Sequence, residues 1–483
     1  MDVSAGSGAG GAQDADAEAA ADRHAALVAG LREVLSDRFG DSVRVEALTK
    51  LSSGASRQSF AFDAAPAGGA APVPLILQRG SAAPGAEPAL SMTAEASLLE
   101  AAGRGGVPVP EVVASGGPDS PLGAPFLVAI RMPGEALPTR LFRDERLAAG
   151  VARLTDDAAA ALAAIHRLAP EGLGLVPNDL VAYYRQVLDF LAEARPALEL
   201  THRWLDANRP SARPPAVVHG DFRLGNLLVD ATGLSSVLDW ELAHLGDPLE
   251  DVAWPAIRAW RFDHVRPPGV FPDRGPWIAA YEAASGTAID RDELTWWEIA
   301  GTFKWAVICL VQAYRHLTGM ARSVELAAIG RRVCESEWDL LGLLASVGAV
   351  PYGALASRDE DEPPNDDAPP PVGLHGTTTA EILADAVREL LENKVLEATS
   401  GSLRHEVRVA AGALATVGRE LRLGPAQEGD HVARLRALGF ESDAGLAGAI
   451  RAGALDGRED VAAAIADDVR DRLLVANPGW RKG

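Results

Sequence analysis

The hydrophobic pattern changes period part-way along this chain, and that change limits the folds open to it. Between Val43 and Arg131 the apolar residues fall in short or alternating runs: Val43–Val45, Gln58–Phe62, Leu75–Leu77, Glu111–Ala114 and Phe126–Arg131. Gly, Ser and Pro clusters separate them, as in a small antiparallel sheet. One short helix, Thr93 to Ala102, interrupts the series and ends at the glycines and prolines of 103–110. Further on, apolar residues recur every three to four positions over Thr155–His166, Leu180–Leu191, Trp277–Ala284 and Glu293–Leu317. A strand-rich unit followed by a helix-rich one is an α+β architecture. The helical half is broken once, by a strand-like island at Ala216–Trp240.

The ends read differently. Residues 1–21 are rich in Ala, Gly and Asp and read as a disordered tail, with a periodic helix from Asp22 to Phe39 after it. After Val350, residues 351–374 carry six acids (Asp359, Glu360, Asp361, Glu362, Asp366, Asp367) among prolines, the composition of an extended linker. Residues 375–483 read as a helical domain of their own. Ile382, Leu383, Val387, Leu390, Leu391 and Val395 lie on one face of a first helix, with further helices near 403–422, 429–438, 443–454 and 459–474. The two large segments between are 22–133, strand-rich after its leading helix, and 134–350.

Charge and cysteine content narrow the partners. There are 45 Lys and Arg against 67 Asp and Glu, a net charge of −22, which opposes broad binding to a polyphosphate backbone, so no nucleic acid is expected. Two cysteines, Cys309 and Cys334, build no disulfide framework, and residues 1–21 lack the basic start and apolar middle of a signal peptide. Apolar stretches such as Trp305–Val311 fall short of the roughly 20 residues that span a bilayer. A cytoplasmic protein without a membrane partner is the expectation.

The chemistry concentrates in the island. Its text runs Val217-Val-His219-Gly-Asp221-Phe-Arg223-Leu-Gly-Asn226, then an apolar strand, a Gly turn, a second strand and Asp239-Trp-Glu241. Two strands joined by such a turn put Asn226 and Asp239 at neighbouring strand ends, with Asp221 in the loop before them. One carboxylate is then free to take a proton. An amide and a second carboxylate supply hard oxygens of the kind Mg2+ takes beside nucleotide phosphates. Any one of these residues alone is a common turn former; their order and spacing together single them out.

His219-Gly-Asp221-x4-Asn226, Asp239-Trp-Glu241 and Gly246-Asp247-Pro248 resemble the aminoglycoside phosphotransferase family, over about residues 40–345. The resemblance implies a bilobal protein-kinase-like fold with a small antiparallel β lobe and a larger, mainly α lobe, followed here by the all-α C-terminal domain. It implies Asp221 as the base for an acceptor hydroxyl, Asn226 and Asp239 as Mg2+ ligands, and ATP, or GTP, as donor. His219 is a framework residue on this view, and Arg223 approaches the transferred phosphoryl group. Val107-Pro-Val-Pro110 and the His219–Asn226 text are closer to the branch resembling the kinase-like part of acyl-CoA dehydrogenase fusion proteins. That branch implies a hydroxyacyl or other metabolic acceptor rather than an aminoglycoside. The C-terminal helices resemble an uncharacterised domain attached to such phosphotransferases, suited to packing on the kinase-like part or to self-association.

The small lobe supplies the nucleotide clamp. Ser53, Gly54 and Ser56 lie in a loop between two strands, where backbone N–H groups and hydroxyls meet phosphate. No lysine occurs between Lys50 and Lys304, so a strand cation paired with a helix glutamate must be arginine. Arg79 is the candidate, although strand alternation leaves open whether Gln78 faces the cleft instead. Glu95 is the expected partner, with Glu100 as the alternative. Ile130 and Met132 belong to the last strand and hinge, where backbone groups meet the purine edge. A second function stays in view: a catalytically silent nucleotide-binding module that presents the C-terminal helices to a partner.

Overall fold

The computed structural model describes residues 9–51, 57–80, 90–355 and 378–482. The expected phosphate-loop residues Ser53, Gly54 and Ser56 lie outside the described residues, as does most of the acidic, proline-containing segment. The chain divides into two units, each assembled from separate stretches of sequence.

The first unit gathers Met1–Pro177, Pro215–Pro248 and Asp263–Gly286. Its sheet has β1 (Arg44–Lys50), β2 (Arg57–Ala65), β3 (Val73–Gly80), β4 (Val112–Gly116) and β5 (Phe126–Ile130), all antiparallel in the order β1-β2-β3-β5-β4. The helices of this unit are α1 (Ala9–Phe39), α2 (Met92–Arg104), α3 (Pro138–Leu141), α4 (Ala148–His166) and α9 (Arg274–Ser285). One sheet face is apolar: Phe62, Leu75, Leu77, Phe126 and Val128 are buried against Leu31 and Leu35 of α1 and against Leu122. That packing gives α1 its place. It starts at Ala9 rather than Asp22, since an alanine-rich lead extends a helix at little cost.

Four short strands form two antiparallel pairs in the same unit: β6 (Ala216–Val218) with β9 (His244–Gly246), and the hairpin of β7 (Leu227–Asp230) with β8 (Gly233–Val237). The β7–β8 pair is tied to the sheet side by reciprocal Glu135–Val229 backbone bonds of 2.9 and 3.1 Å and by Val237 N–H donating to Pro108 O at 2.8 Å. Helix α4 packs on the same pair. A Cβ at Gly150 would lie 1.8 Å from Asp230 O, so this crossing needs glycine.

The second unit gathers Asn178–Pro214, Leu249–Phe262 and Thr287–Gly483. It contains α5 (Leu180–Leu191), α6 (Pro196–Ala207), the short α7 (Leu249–Ala253) and α8 (Arg258–Arg261), α10 (Arg291–Leu317), α11 (Val324–Arg331) and α12 (Val333–Ser346). Then come α13 (Ala380–Leu390), α14 (Gly401–Leu438), α15 (Asp443–Arg451) and α16 (Glu459–Ala476). Helix α10 is long and apolar enough to cross a membrane by length and composition, contrary to the expectation, and 89% of its most apolar window is buried in the fold. The buried Lys304–Glu250 pair at 3.2 Å, with the ammonium over the Trp254 ring, belongs to this interior.

The C-terminal helices belong to this second unit, where helix α15 packs on α6 and α16 on α12. Arg451 donates to both carboxylate oxygens of buried Glu199 (2.6 and 3.2 Å), which also accepts from Arg185 at 2.7 Å. At the chain's end Trp480 donates to Asp339 at 3.1 Å, and Arg258 lies over its ring while bonding Asp339 at 3.0 Å. The helices expected at 403–422 and 429–438 are one, α14, which runs through Pro425. Proline removes one backbone donor there, and packing against α13 and α16 outweighs that loss. The first C-terminal helix stops at Leu390 and passes into a π-helical turn, Leu391–Val395. Ile382, Leu383, Val387 and Leu390 of its expected apolar face are exposed.

Candidate active site

Every described residue of the site lies in the first unit. Strand β6 ends at Val218, His219 follows it, and the backbone then reverses at Gly220, where φ is +80° and an added Cβ would lie 2.5 Å from Leu242 O. Only glycine fits such a turn without strain. His219 is buried completely. Its Nδ1 accepts from Asp221 N–H at 3.2 Å, which makes Nε2 the donor to Leu238 O at 3.1 Å. With both ring nitrogens committed to backbone and its ring 4.7 Å from that of Trp240, the histidine is framework. Phe222, just after Asp221, is buried against Phe271 and Trp277, which anchors the loop from beneath.

This anchoring holds Asp221 with its two oxygens differently occupied. Oδ1 accepts from Arg223 Nε at 2.8 Å, and Oδ2 accepts from Asn226 Nδ2 at 2.6 Å. The same Asn226 nitrogen donates to Asp221 O at 3.0 Å, which fixes the amide and turns Oδ1 of Asn226 away from both acceptors. Leu238 N–H donates to Asn226 O at 2.8 Å, so the entry to β7 and the exit from β8 are neighbours, as the spacing predicts. Asp239 follows in the left-handed region at φ +63°, an uncommon conformation for a non-glycine residue.

Negative charge is crowded here. Burial, then Glu241 and Asp221, push the Asp239 carboxyl up to about 7, against the opposing pull of Arg57. Four carboxylates, Asp221, Asp239, Glu95 and Glu241, thus share a small region with Arg57 and Arg223. Such an excess favours a cation. Asn226 Oδ1 and the Asp239 carboxylate are hard oxygens at adjacent strand ends, so a divalent cation such as Mg2+ fits the donor set.

The small lobe differs from expectation at its cation. Arg79 shares the apolar face with Leu75 and Leu77 and donates through Nε and Nη2 to Leu122 O (3.1 and 2.8 Å). The expected Arg79–Glu95 pair is therefore not formed. The partner of Glu95 is Arg57, whose Nη1 lies 2.6 Å from Glu95 Oε2 and whose Nε lies 2.9 Å from Glu241 Oε2. Glu95 sits in the first turn of α2, which Ser91 caps through Ala94 N–H, and it is buried, whereas Glu100 is largely exposed and pairs with Arg104. Burial alone would pull Arg57 down, but Glu95 and Glu241 outweigh it and hold the guanidinium charged. The available sequence signal was Gln78 beside an arginine opening the neighbouring strand. At the hinge, the amides of Ile130 and Arg131 donate to Glu111 O and Pro74 O at 2.9 Å each. A purine edge would meet the carbonyls of this stretch or the Met132 amide, since Pro133 has no N–H.

A family model described as APH, phosphotransferase enzyme family, matches residues 47–297, just over half of the chain. The chain belongs to the phosphotransferase enzyme family. A second model, a domain of unknown function (DUF6285), matches residues 397–480. Among curated relatives of this phosphotransferase, Acyl-CoA dehydrogenase family member 10 of Mus musculus is 27% identical over 275 residues, covering 51% of this chain and 25% of that protein. Acyl-CoA dehydrogenase family member 11 of Homo sapiens is 31% identical over 169 residues, covering 31% of this chain and 20% of that protein. The chain thus spans a quarter or less of the length of these relatives. A candidate aminoglycoside phosphotransferase of Ralstonia eutropha JMP134 superposes with a TM-score of 0.52 at 22% identity, over 67% of this chain and 98% of that one. The phosphotransferase has the kinase-like fold, with an antiparallel small lobe and a mainly helical remainder.

Proposed function

We propose that this phosphotransferase moves the terminal phosphoryl group of ATP, or GTP, to a hydroxyl of a small hydroxyacyl metabolite. The observation that carries this is the Asp221–Asn226–Asp239 constellation on a kinase-like frame. Arg223 and Asn226 orient the Asp221 carboxylate, which accepts the proton of the acceptor hydroxyl as its oxygen bonds to the terminal phosphorus. The bond from that phosphorus to the bridging oxygen breaks, and nucleoside diphosphate leaves with the electron pair. Asn226 Oδ1 and Asp239 would hold Mg2+, which when bound neutralises charge on the phosphates. The acyl class of acceptor draws on the kinship with the acyl-CoA dehydrogenase family members. A silent nucleotide-binding role would rest on the uncharged Gln78 standing where a strand cation is expected; Arg57 beside Glu95 counts against it.

The test is Mg2+-dependent nucleotide consumption with a panel of hydroxyacyl compounds and aminoglycosides, read by mass analysis for a phosphate adduct. Asp221→Asn should lower turnover by about 100-fold or more while nucleotide affinity stays within a few-fold. Full turnover in that variant excludes Asp221 as the base.

A further inference from the structure

The phosphate-contacting cation of a kinase-like small lobe must stand on the sheet face turned away from the lobe's own apolar core. Strand alternation decides which residues qualify. Phe62, Leu75 and Leu77 are buried with α1, and Arg79 is in phase with the two leucines. Ser59 pairs with Gln78 across the β2–β3 ladder, and Arg57, two residues before Ser59, stands on their face. At this point β3 presents an uncharged amide, and its neighbour strand presents a guanidinium. The two side chains touch: Arg57 Nη1 donates to Gln78 Oε1 at 3.3 Å.

The setting of Arg57 exceeds what a structural ion pair requires. Its side chain is 9% exposed and meets two carboxylates from different elements, Glu95 on α2 and Glu241 two residues beyond Asp239. One carboxylate would neutralise it. Two carboxylates fix the plane of the fork and aim it, and the charge of Arg57 reaches Asp239, the expected metal ligand. The three contacts use Nε and Nη1, and a guanidinium carries two further hydrogens on Nη2. Lysine, a single ammonium on a flexible stem, could not be clamped from two sides and still present a defined edge.

We propose that Arg57 is the phosphate-facing cation of the nucleotide site, supplied by β2 in place of the β3 residue and aimed by Glu95 and Glu241. This rests on the phosphotransferase reading above. Glu95 and Glu241 are then positioning residues, and Gln78 marks the place from which the charge has moved.

The experiment compares binding of Mg2+–ATP with binding of adenosine by calorimetry, with GTP and guanosine run alongside. In Arg57→Gln, triphosphate affinity should fall about 10- to 100-fold, the scale of a charge-assisted contact, while nucleoside affinity stays unchanged. Adding Gln78→Lys to that variant should restore part of the loss by returning a cation to β3. Because Arg57→Gln leaves Glu95 buried without its partner, Arg57→Gln/Glu95→Gln is measured too; it removes both charges and should show the same triphosphate-selective loss. A merely structural Arg57 would weaken nucleoside and triphosphate together, or neither, and either result in a folded variant overturns the proposal. A wild-type protein that binds no nucleotide refutes the phosphotransferase reading itself.

Discussion

Replacing Gly220 by alanine tests whether the catalytic loop is held by steric necessity. The added methyl group would lie 2.5 Å from Leu242 O and 3.0 Å from Leu242 C, where ordinary contact begins at 3.4 Å. The obstacle is backbone, so the loop or the Leu242 segment must move by about 0.9 Å, the difference between 3.4 and 2.5 Å. Holding a non-glycine residue at φ +80° costs about 1–2 kcal/mol, and the overpacking about 1–3 kcal/mol more. The expected loss of stability is therefore about 2–5 kcal/mol. Asp221 adjoins the strained residue, and a displacement of about 1 Å at a reacting group lowers turnover about 100-fold. The assay pairs thermal melting with phosphoryl transfer per folded molecule. Gly412→Ala is the control: it lies inside α14 with nothing within 4 Å of an added Cβ, and it should stabilise by about 0.5–1 kcal/mol. A Gly220→Ala protein that melts with wild type and turns over within twofold of it would refute this account of the loop.

Two more expectations concern the second unit. Glu199→Ala removes the buried acceptor of Arg185 and Arg451, leaving them only the more exposed Asp189, and should cost about 1–3 kcal/mol in denaturant unfolding, with the Asp221 site untouched; an unchanged midpoint would show that this ion pair contributes nothing. Burial pushes the Asp339 carboxyl up to about 6, so the folded state holds that proton more tightly than the unfolded chain does. Stability from this group is greatest below about pH 4 and declines as pH rises toward 6, by about 2–3 kcal/mol in all. Asp339→Asn cannot titrate, so its stability should gain on wild type across that window, and a constant difference between the two curves would contradict the assignment.

Much of the geometry of the candidate site was legible because its residues fall within a short span of chain. His219, Asp221 and Asn226 sit on one loop, and Asp239 lies one hairpin further, so local spacing preserved their geometry. The strands were legible from their alternation, and α5 matched its periodicity from Leu180 to Leu191. Arg57 escaped because a family pattern places the cation on β3, and choosing between adjacent Gln78 and Arg79 requires knowing which face covers α1. The buried Leu75 and Leu77, in phase with Arg79, settle that choice. The placement of α15 on α6 left no trace in periodicity, since an amphipathic helix declares an apolar face without naming its partner.

The ion pair between Glu199 and Arg451 joins residues 252 positions apart, and the second unit is completed only by its final stretch of sequence. During synthesis, α6 and α12 therefore emerge long before the helices that cover them, and their apolar sides must wait uncovered while more than a hundred further residues are made. A chain cut short before α15 still bears Asp221, Asn226 and Asp239 yet lacks the helices that close its second core.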